Sequence, residues 1–407
     1  MNPTLEIFSQ GEEIVTGQTV DTNAAWLSEQ AVQLGFTVTR HTAVGDKLDD
    51  LIALLKEISQ RADACLCTGG LGPTSDDLTA DAVAAAFGLP LQFDETAYRQ
   101  IRQFFSARNR PMPATNRKQA MLPEGSLRLD NDWGTAPGFA LQAGRCWFAF
   151  LPGVPSEMRA MFDERVAPLL TRRFTLNPPR LITLKTFGLG ESDIQQRLAP
   201  IQIPDTVQLG FRAGVDEVQT KLLFPAGYPE QSLEALIHDM AHRLGDFVFA
   251  VDGLEDNPGN LASVVDKLMT DAGKTLAVIE TTSQGLLAAK CLGSSWLISA
   301  LYADQPALGH RLGVAIDPEN LPQTAARLAQ ALKNQTSADF ILVQLYEGAR
   351  EQFHDRNRTI ILYNTLLLED DTPLQKRHCV AGAGERKQNQ AALLGLDLLR
   401  RHLQHLT

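Results

Sequence analysis

Residues 67–79 read CTGGLGPTSDDLT, and the fold is decided around them. The apolar run from Ala62 to Cys67 before this stretch has the make-up of a buried strand. The residues from about Leu78 to Phe87 after it have a helical period, closed by Gly88 and Pro90. The stretch is therefore a strand-to-helix loop. Gly69, Gly70 and Gly72 let its backbone bend sharply and approach a ligand. The free N–H groups and positive dipole end of the following helix suit an anion. Asp76 and Asp77 would repel one. A tight turn with Asp77 or Thr79 as helix N-cap explains part of the pattern as well as a ligand loop does.

Moving outward, apolar runs and helical periods alternate over the first 170 residues. Leu5–Phe8 reads as a strand, Asn23–Leu34 as a helix ended by Gly35, Phe36–Arg40 as a strand and Asp49–Gln60 as a helix. Such alternation predicts an α/β domain with a mostly parallel sheet, helices on both faces and ligands at the carboxyl ends of its strands. After Asn177-Pro178-Pro179 the order β-α-β-β-α-β over residues 178–252 predicts a small split-βαβ domain. After a linker at 252–259, residues 258–407 read as a second α/β domain, and the first domain occupies 1–170. His238 and His242 lie one helical turn apart, but without a flanking Glu or a third ligand they read as a solvated face. His402 and His405 read the same way.

Composition narrows the function. The chain has 407 residues, a net charge of −11 and 44% hydrophobic residues. This describes a globular protein of two or three domains without a broad basic surface for nucleic acid or an anionic membrane. The first residues show no secretory signal and no apolar run approaches a bilayer span, so a cytoplasmic location is expected. Five cysteines without a C-x-x-C spacing predict reduced thiols, and Cys65 and Cys67 are expected to face opposite sides of their strand.

Three further polar stretches fall at the same sheet edge as the glycine loop: residues 11–23 (GEEIVTGQTVDTN), Asp46, and residues 151–158 (LPGVPSEM). Glu12, Glu13, Asp46, Asp76, Asp77 and Glu157 are thus expected to converge on a glycine-lined pocket. Carboxylates and phosphates share a pocket when a hard divalent cation bridges them.

TGGLGPTSDDLT, with GQTVDTN, NRKQAMLPEGS, GTAPGF and LPGVPSEM in order, resembles the N-terminal half of the CinA (competence/damage-inducible) family. The first domain of that family is similar to the molybdopterin-binding domains of MoaB and MogA. The resemblance implies a metal-dependent pyrophosphatase acting on ADP-ribose or a related nucleotide, and a homodimer. It gives Gly69, Gly70, Gly72 and Thr74 to phosphate, with Asn23, Asn116 and Lys118 orienting ribose or phosphate. Asp46, Asp76 and Asp77 become the catalytic carboxylates, and Asp46, Asp77 and Glu157 the metal ligands, with Mg, Mn and Co not distinguished. Glu12 stands where the family more often has Asp. A nucleotide- or pterin-binding protein without turnover would use the same loop.

The last domain is similar to the nicotinamide mononucleotide amidohydrolase PncC, whose loop has the form ESCTGG. Here that loop is Glu280-Thr281-Thr282-Ser283-Gln284-Gly285. Thr281 replaces the nucleophilic Ser and Gln284 a loop glycine, and the glycine-rich segment of the family is replaced by residues 344–353. An amidase fold that has lost its activity is expected, with apolar periodicity kept for packing or dimerisation. An active amidohydrolase using Thr281 or Ser283 is the remaining alternative.

Overall fold

A computed structural model describes residues 2–254, 258–348 and 350–406. Part of the expected linker (residues 255–257) and one position of the replaced glycine-rich segment (residue 349) lie outside the described residues. The chain divides into two compact units, Met1–Arg180 with Pro225–Gly227, and Leu181–Phe224 with Tyr228–Thr407.

In the first unit, β1 (Thr4–Gln10), a short helix α1 (Glu12–Val15), α2 (Thr22–Leu34), β2 (Thr37–Val44), α3 (Leu48–Arg61), β3 (Ala64–Thr68) and α4 (Thr79–Phe87) follow one another. After them come β4 (Leu91–Phe93), α5 (Glu95–Ser106), β5 (Met121–Pro123), β6 (Leu127–Leu129), β7 (Gly138–Ala143), β8 (Cys146–Leu151), α6 (Pro155–Met161) and α7 (Ala167–Arg173). The six-stranded sheet runs β2-β1-β3-β8-β7-β6. Its β2-β1-β3-β8 part is parallel, and β7 and β6 are added antiparallel. β3 is buried at every position, as a central strand covered on both faces must be, and two separate apolar cores flank the sheet. From β1 the chain turns first to β2 on one side and then to β3 on the other. The carboxyl ends of β1 and β3 therefore form the switch point where such sheets bind ligands.

One expectation fails here. Cys65 and Cys67 share a face and a core, with sulfurs 3.6 Å apart, because residues two apart on a strand point the same way. All five cysteines are free, and Cys379 alone among them is exposed.

In the second unit, β9 (Arg180–Thr186), α8 (Glu191–Leu198), β10 (Gln208–Ala213), β11 (Val218–Phe224), α9 (Glu230–Leu244) and β12 (Val248–Asp252) form a sheet of order β10-β11-β9-β12. This is the split-βαβ arrangement, with Leu233, Ile237, Met240 and Leu244 of α9 buried against it. His238 and His242 are exposed.

The second sheet of this unit, β14-β13-β15-β16-β17, is built from β13 (Leu276–Glu280), β14 (Leu297–Tyr302), β15 (Phe340–Glu347), β16 (Ile360–Leu367) and β17 (Pro373–Val380). Helices α10 (Leu261–Ala272), α11 (Leu286–Lys290), α12 (Gln305–Leu312), α13 (Leu321–Thr336), α14 (Arg350–His354) and α15 (Gly384–Leu403) accompany it. Among the described residues no helix is long and apolar enough to cross a membrane.

Candidate functional site

A constellation of polar groups surrounds a cleft of about 470 Å³ at the β1/β3 switch point. Its floor is the glycine loop. Gly69 and Gly70 have φ of 101° and 66°, left-handed values that a side chain would strain. A Cβ on Gly69 would stand 2.2 Å from Gln10 O, and one on Gly70 2.2 Å from Gln10 Oε1. The loop is thus pressed against the end of β1.

Asp77 does not cap α4. Leu78 holds the N-cap position without a side-chain bond. The Asp77 carboxylate instead accepts the N–H groups of Gly72 and Thr74, each at 2.8 Å, and the Thr74 hydroxyl. Gly72 is required because a Cβ there would lie 2.4 Å from Asp77 Oδ2. Thr79 is not the cap either: its hydroxyl lies within reach of Gln10 Oε1 and of Gly69 O.

Gln10, which the sequence reading left out, organises the cleft. Its Nε2 donates to Asp46 Oδ1 at 2.8 Å and to Asp76 O at 3.4 Å, while Asp46 Oδ2 accepts Glu12 N at 3.1 Å. The only signal was its place at the carboxyl end of a buried strand, and it is not distinctive, because Glu6 and Ser9 of the same strand are polar and buried as well. Asn23 spends both protons of its amide, on Thr68 Oγ1 at 3.2 Å and Gly153 O at 2.8 Å. Its Oδ1 is buried and has no partner among the described residues. Glu157 accepts Asn131 Nδ2 at 2.7 Å.

Of the expected residues, Glu13, Asn23, Asp46, Gly69, Gly70, Gly72, Asp76, Asp77 and Glu157 line the cleft, and Asp21 joins them. Thr74, Asn116, Lys118 and Glu12 are not in that wall. Lys118 Nζ donates to Thr74 O at 3.2 Å and Asp77 O at 2.6 Å, and pairs with Asp81 at 3.6 Å. Asn116 donates to Gln119 Oε1, and Gln119 to Leu71 O. Both therefore brace the loop from behind. The Glu12 carboxylate lies over Gly45, where a Cβ would meet it at 2.2 Å.

The wall carries six carboxylates, Glu13, Asp21, Asp46, Asp76, Asp77 and Glu157, and no Lys or Arg. Among the described residues no three His, Cys, Asp or Glu side chains are gathered closely enough to hold a metal ion by themselves. Asp46, Asp77 and Glu157 are thus not gathered as the ligand set expected: the Asp77 carboxylate is spent on Gly72 and Thr74 and Glu157 accepts Asn131, while each Asp46 oxygen accepts a single hydrogen bond. The hard oxygen donors still fit a cation of the Mg type, which is commonly held by one or two carboxylates together with substrate phosphates. The candidates for that part are Asp46, each of whose oxygens accepts one hydrogen bond, and Asp76, whose main-chain carbonyl accepts Gln10 Nε2 and whose side chain is exposed.

In the second unit, Thr281, Thr282 and Ser283 are at most 2% exposed. The Thr281 hydroxyl donates to Gln344 O at 2.6 Å and that of Ser283 to Glu280 Oε2 at 2.7 Å. Glu280 accepts the N–H groups of Gly285, Leu287 and Ala288 at 2.9–3.0 Å and so closes the start of α11. Gln284 holds φ of 52°, where a glycine would be unstrained, and accepts Gln388 Nε2 at 2.8 Å.

Residues 6–172 match the family described as "Probable molybdopterin binding domain". A CinA-like protein of Escherichia coli (strain SMS-3-5 / SECEC) is 35% identical over 98% of this chain and 94% of its own length. An E. coli K12 protein named NMN amidohydrolase-like protein YfaY is 37% identical over 86% of this chain and 84% of its own. A solved CinA of unknown function from Thermoplasma acidophilum has 30% identity and a TM-score of 0.38, covering 42% of this chain and 97% of that one.

Proposed function

This chain belongs to the CinA-like family, and on that premise we propose that its first domain hydrolyses the diphosphate of ADP-ribose or a related nucleotide with a divalent cation. The observation that carries the reading is the wall of six carboxylates without a basic side chain, beside a glycine loop and a helix start that favour an anion. A diphosphate would be repelled from such a wall unless a cation joined it. When bound, the cation would neutralise charge that develops as the P–O–P bridge breaks.

The chain's own residues have separable parts in this reading. The start of α4 and those loop N–H groups that are not spent on Asp77 or Leu151 receive the phosphates. Asp46, fixed through Gln10 and Glu12 N, keeps its remaining lone pairs turned to the cleft, and Asp76, exposed beside it, orients or accepts the proton of the attacking water. Asn23 offers only its Oδ1, so it receives a hydroxyl or amine donor and not a phosphate oxygen.

The amide-hydrolysing role suggested by the name of one relative is not retained in this reading. The hydroxyls of Thr281 and Ser283 are buried and spent on Gln344 and Glu280. A phosphorylated pterin held without turnover is the second reading, favoured by the description of the family matched over residues 6–172.

The test is incubation of the full chain with ADP-ribose and with nicotinamide mononucleotide, each with and without Mg²⁺, Mn²⁺ or Co²⁺, followed by chromatography. The reading predicts AMP and ribose 5-phosphate only with metal, and loss of both in Asp76→Asn. No AMP under any metal sinks it, and nicotinic acid mononucleotide from the second substrate overturns the view of the last domain.

A further inference from the structure

The most basic surface of the first unit lies outside the cleft. Between Glu95 and Glu124 the chain carries Arg99, Arg102, Arg108, Arg110, Arg117 and Lys118 and no acidic residue, within a protein of net charge −11. The five arginines, on α5 and the segment after it, are exposed. Arg99 reaches only the Thr96 hydroxyl, at 3.3 Å, Arg108 stacks 3.5 Å over Phe104, and Arg117 lies 4.1 Å over Phe93. None of the five meets a carboxylate among the described residues.

The ring contacts account for Arg108 and Arg117, but exposed guanidinium groups contribute little to folding unless paired, which leaves Arg99, Arg102 and Arg110 without a role. Their place in the fold supplies one. The strip ends at Lys118, whose ammonium rests, behind the glycine loop, on the carbonyls of Thr74 and of Asp77, a residue of the cleft wall. That cleft carries no cation of its own, and the net charge of the molecule repels a phosphorylated ligand at long range.

We propose that the arginine strip is an anion-collecting surface that captures phosphate-bearing small ligands and hands them to the adjacent cleft. The proposal rests on the reading of that cleft as a phosphate site. It does not require turnover.

The test compares the full chain with the triple variant Arg99→Gln, Arg102→Gln, Arg110→Gln, none of which touches the cleft. Stopped-flow association of a fluorescent ADP-ribose analogue with Mn²⁺ is followed at about 0.01 M and about 1 M ionic strength, where charges are felt over roughly 30 Å and 3 Å. The association rate of the variant should fall about tenfold at low ionic strength, the lower end of steering effects, and match the parent at high. The dissociation rate should not move. Equal association rates at low ionic strength, or a change confined to dissociation, overturn the proposal. Saturable binding of a single-stranded oligonucleotide that the variant loses would also overturn it, by giving the strip to nucleic acid. A parent that binds the analogue without cleaving it sinks the hydrolytic reading and leaves the strip standing; a parent that binds nothing sinks both.

Discussion

At the scale of single residues, the two neighbouring aspartates of the glycine loop have different work. Asp77 is internal to the loop, and its carboxylate closes three hydrogen bonds to Gly72 and Thr74. Asp76 is exposed. Asp77→Asn puts an amide N–H against backbone N–H donors, and it should destabilise the first unit by about 2 kcal/mol, the range for stranding buried polar groups. Asp76→Asn should leave the unfolding curve unchanged while abolishing metal-dependent cleavage. Chemical denaturation of both variants, beside product assays, separates the roles. Burial drives the thiols of Cys65, Cys67 and Cys146 up and that of Cys291 up to about 12, whereas Cys379 is exposed. Ellman titration of the native chain should therefore count one fast thiol, and five after denaturation. A second fast thiol would contradict the packing described.

At the scale of elements, α5 shows what a cap contributes. Asp94 accepts Thr96 N, Ala97 N and the Arg128 guanidinium. Burial alone would raise its carboxyl, but the Ala97 N–H and Arg128 together hold it below the ordinary 3.8. A depressed folded value gives stability that is present above 3.8 and lost as pH falls through the folded value. Asp94→Asn should cost about 1 kcal/mol at neutral pH, and the cost should shrink as pH falls below 3.8 and through the folded value, as read from denaturation across that range. In the last sheet, Asn364 is wholly buried, with neither side-chain polar atom partnered among the described residues. Asn364→Leu should raise thermal stability, by about 1 kcal/mol, and a fall would show that the amide is satisfied.

The same scale explains how much was legible in the sequence. Central strands and amphipathic helices such as α3, α9 and α10 were readable because their apolar period is clean. α5 went unread between the first domain's motifs, and so did two edge strands: β14 is a short run with no buried position, and β17 mixes Lys, Arg and His with apolar residues. For the site, motif positions at strand ends found nine of the lining residues. They could not show that Lys118 and Asn116 brace the loop from behind, nor that Gln10 ties Asp46 to Asp76. Those depend on which way side chains cross between elements, which no local pattern encodes.

At the scale of the molecule, a protein of charge −11 keeps a glycine loop fit for phosphate inside a wall of carboxylates. It also carries a last domain whose corresponding hydroxyls are buried. Thr281→Ser should therefore restore no release of nicotinic acid mononucleotide from nicotinamide mononucleotide, because the new hydroxyl would still face Gln344 O. The central claim is that a cation and a diphosphate enter the cleft together. Isothermal calorimetry of ADP-ribose against the full chain tests it most directly, once in chelator and once with saturating Mn²⁺. The account predicts binding at a single site per chain with Mn²⁺, lost in chelator and in Asp46→Asn. Binding of equal strength in chelator would contradict it.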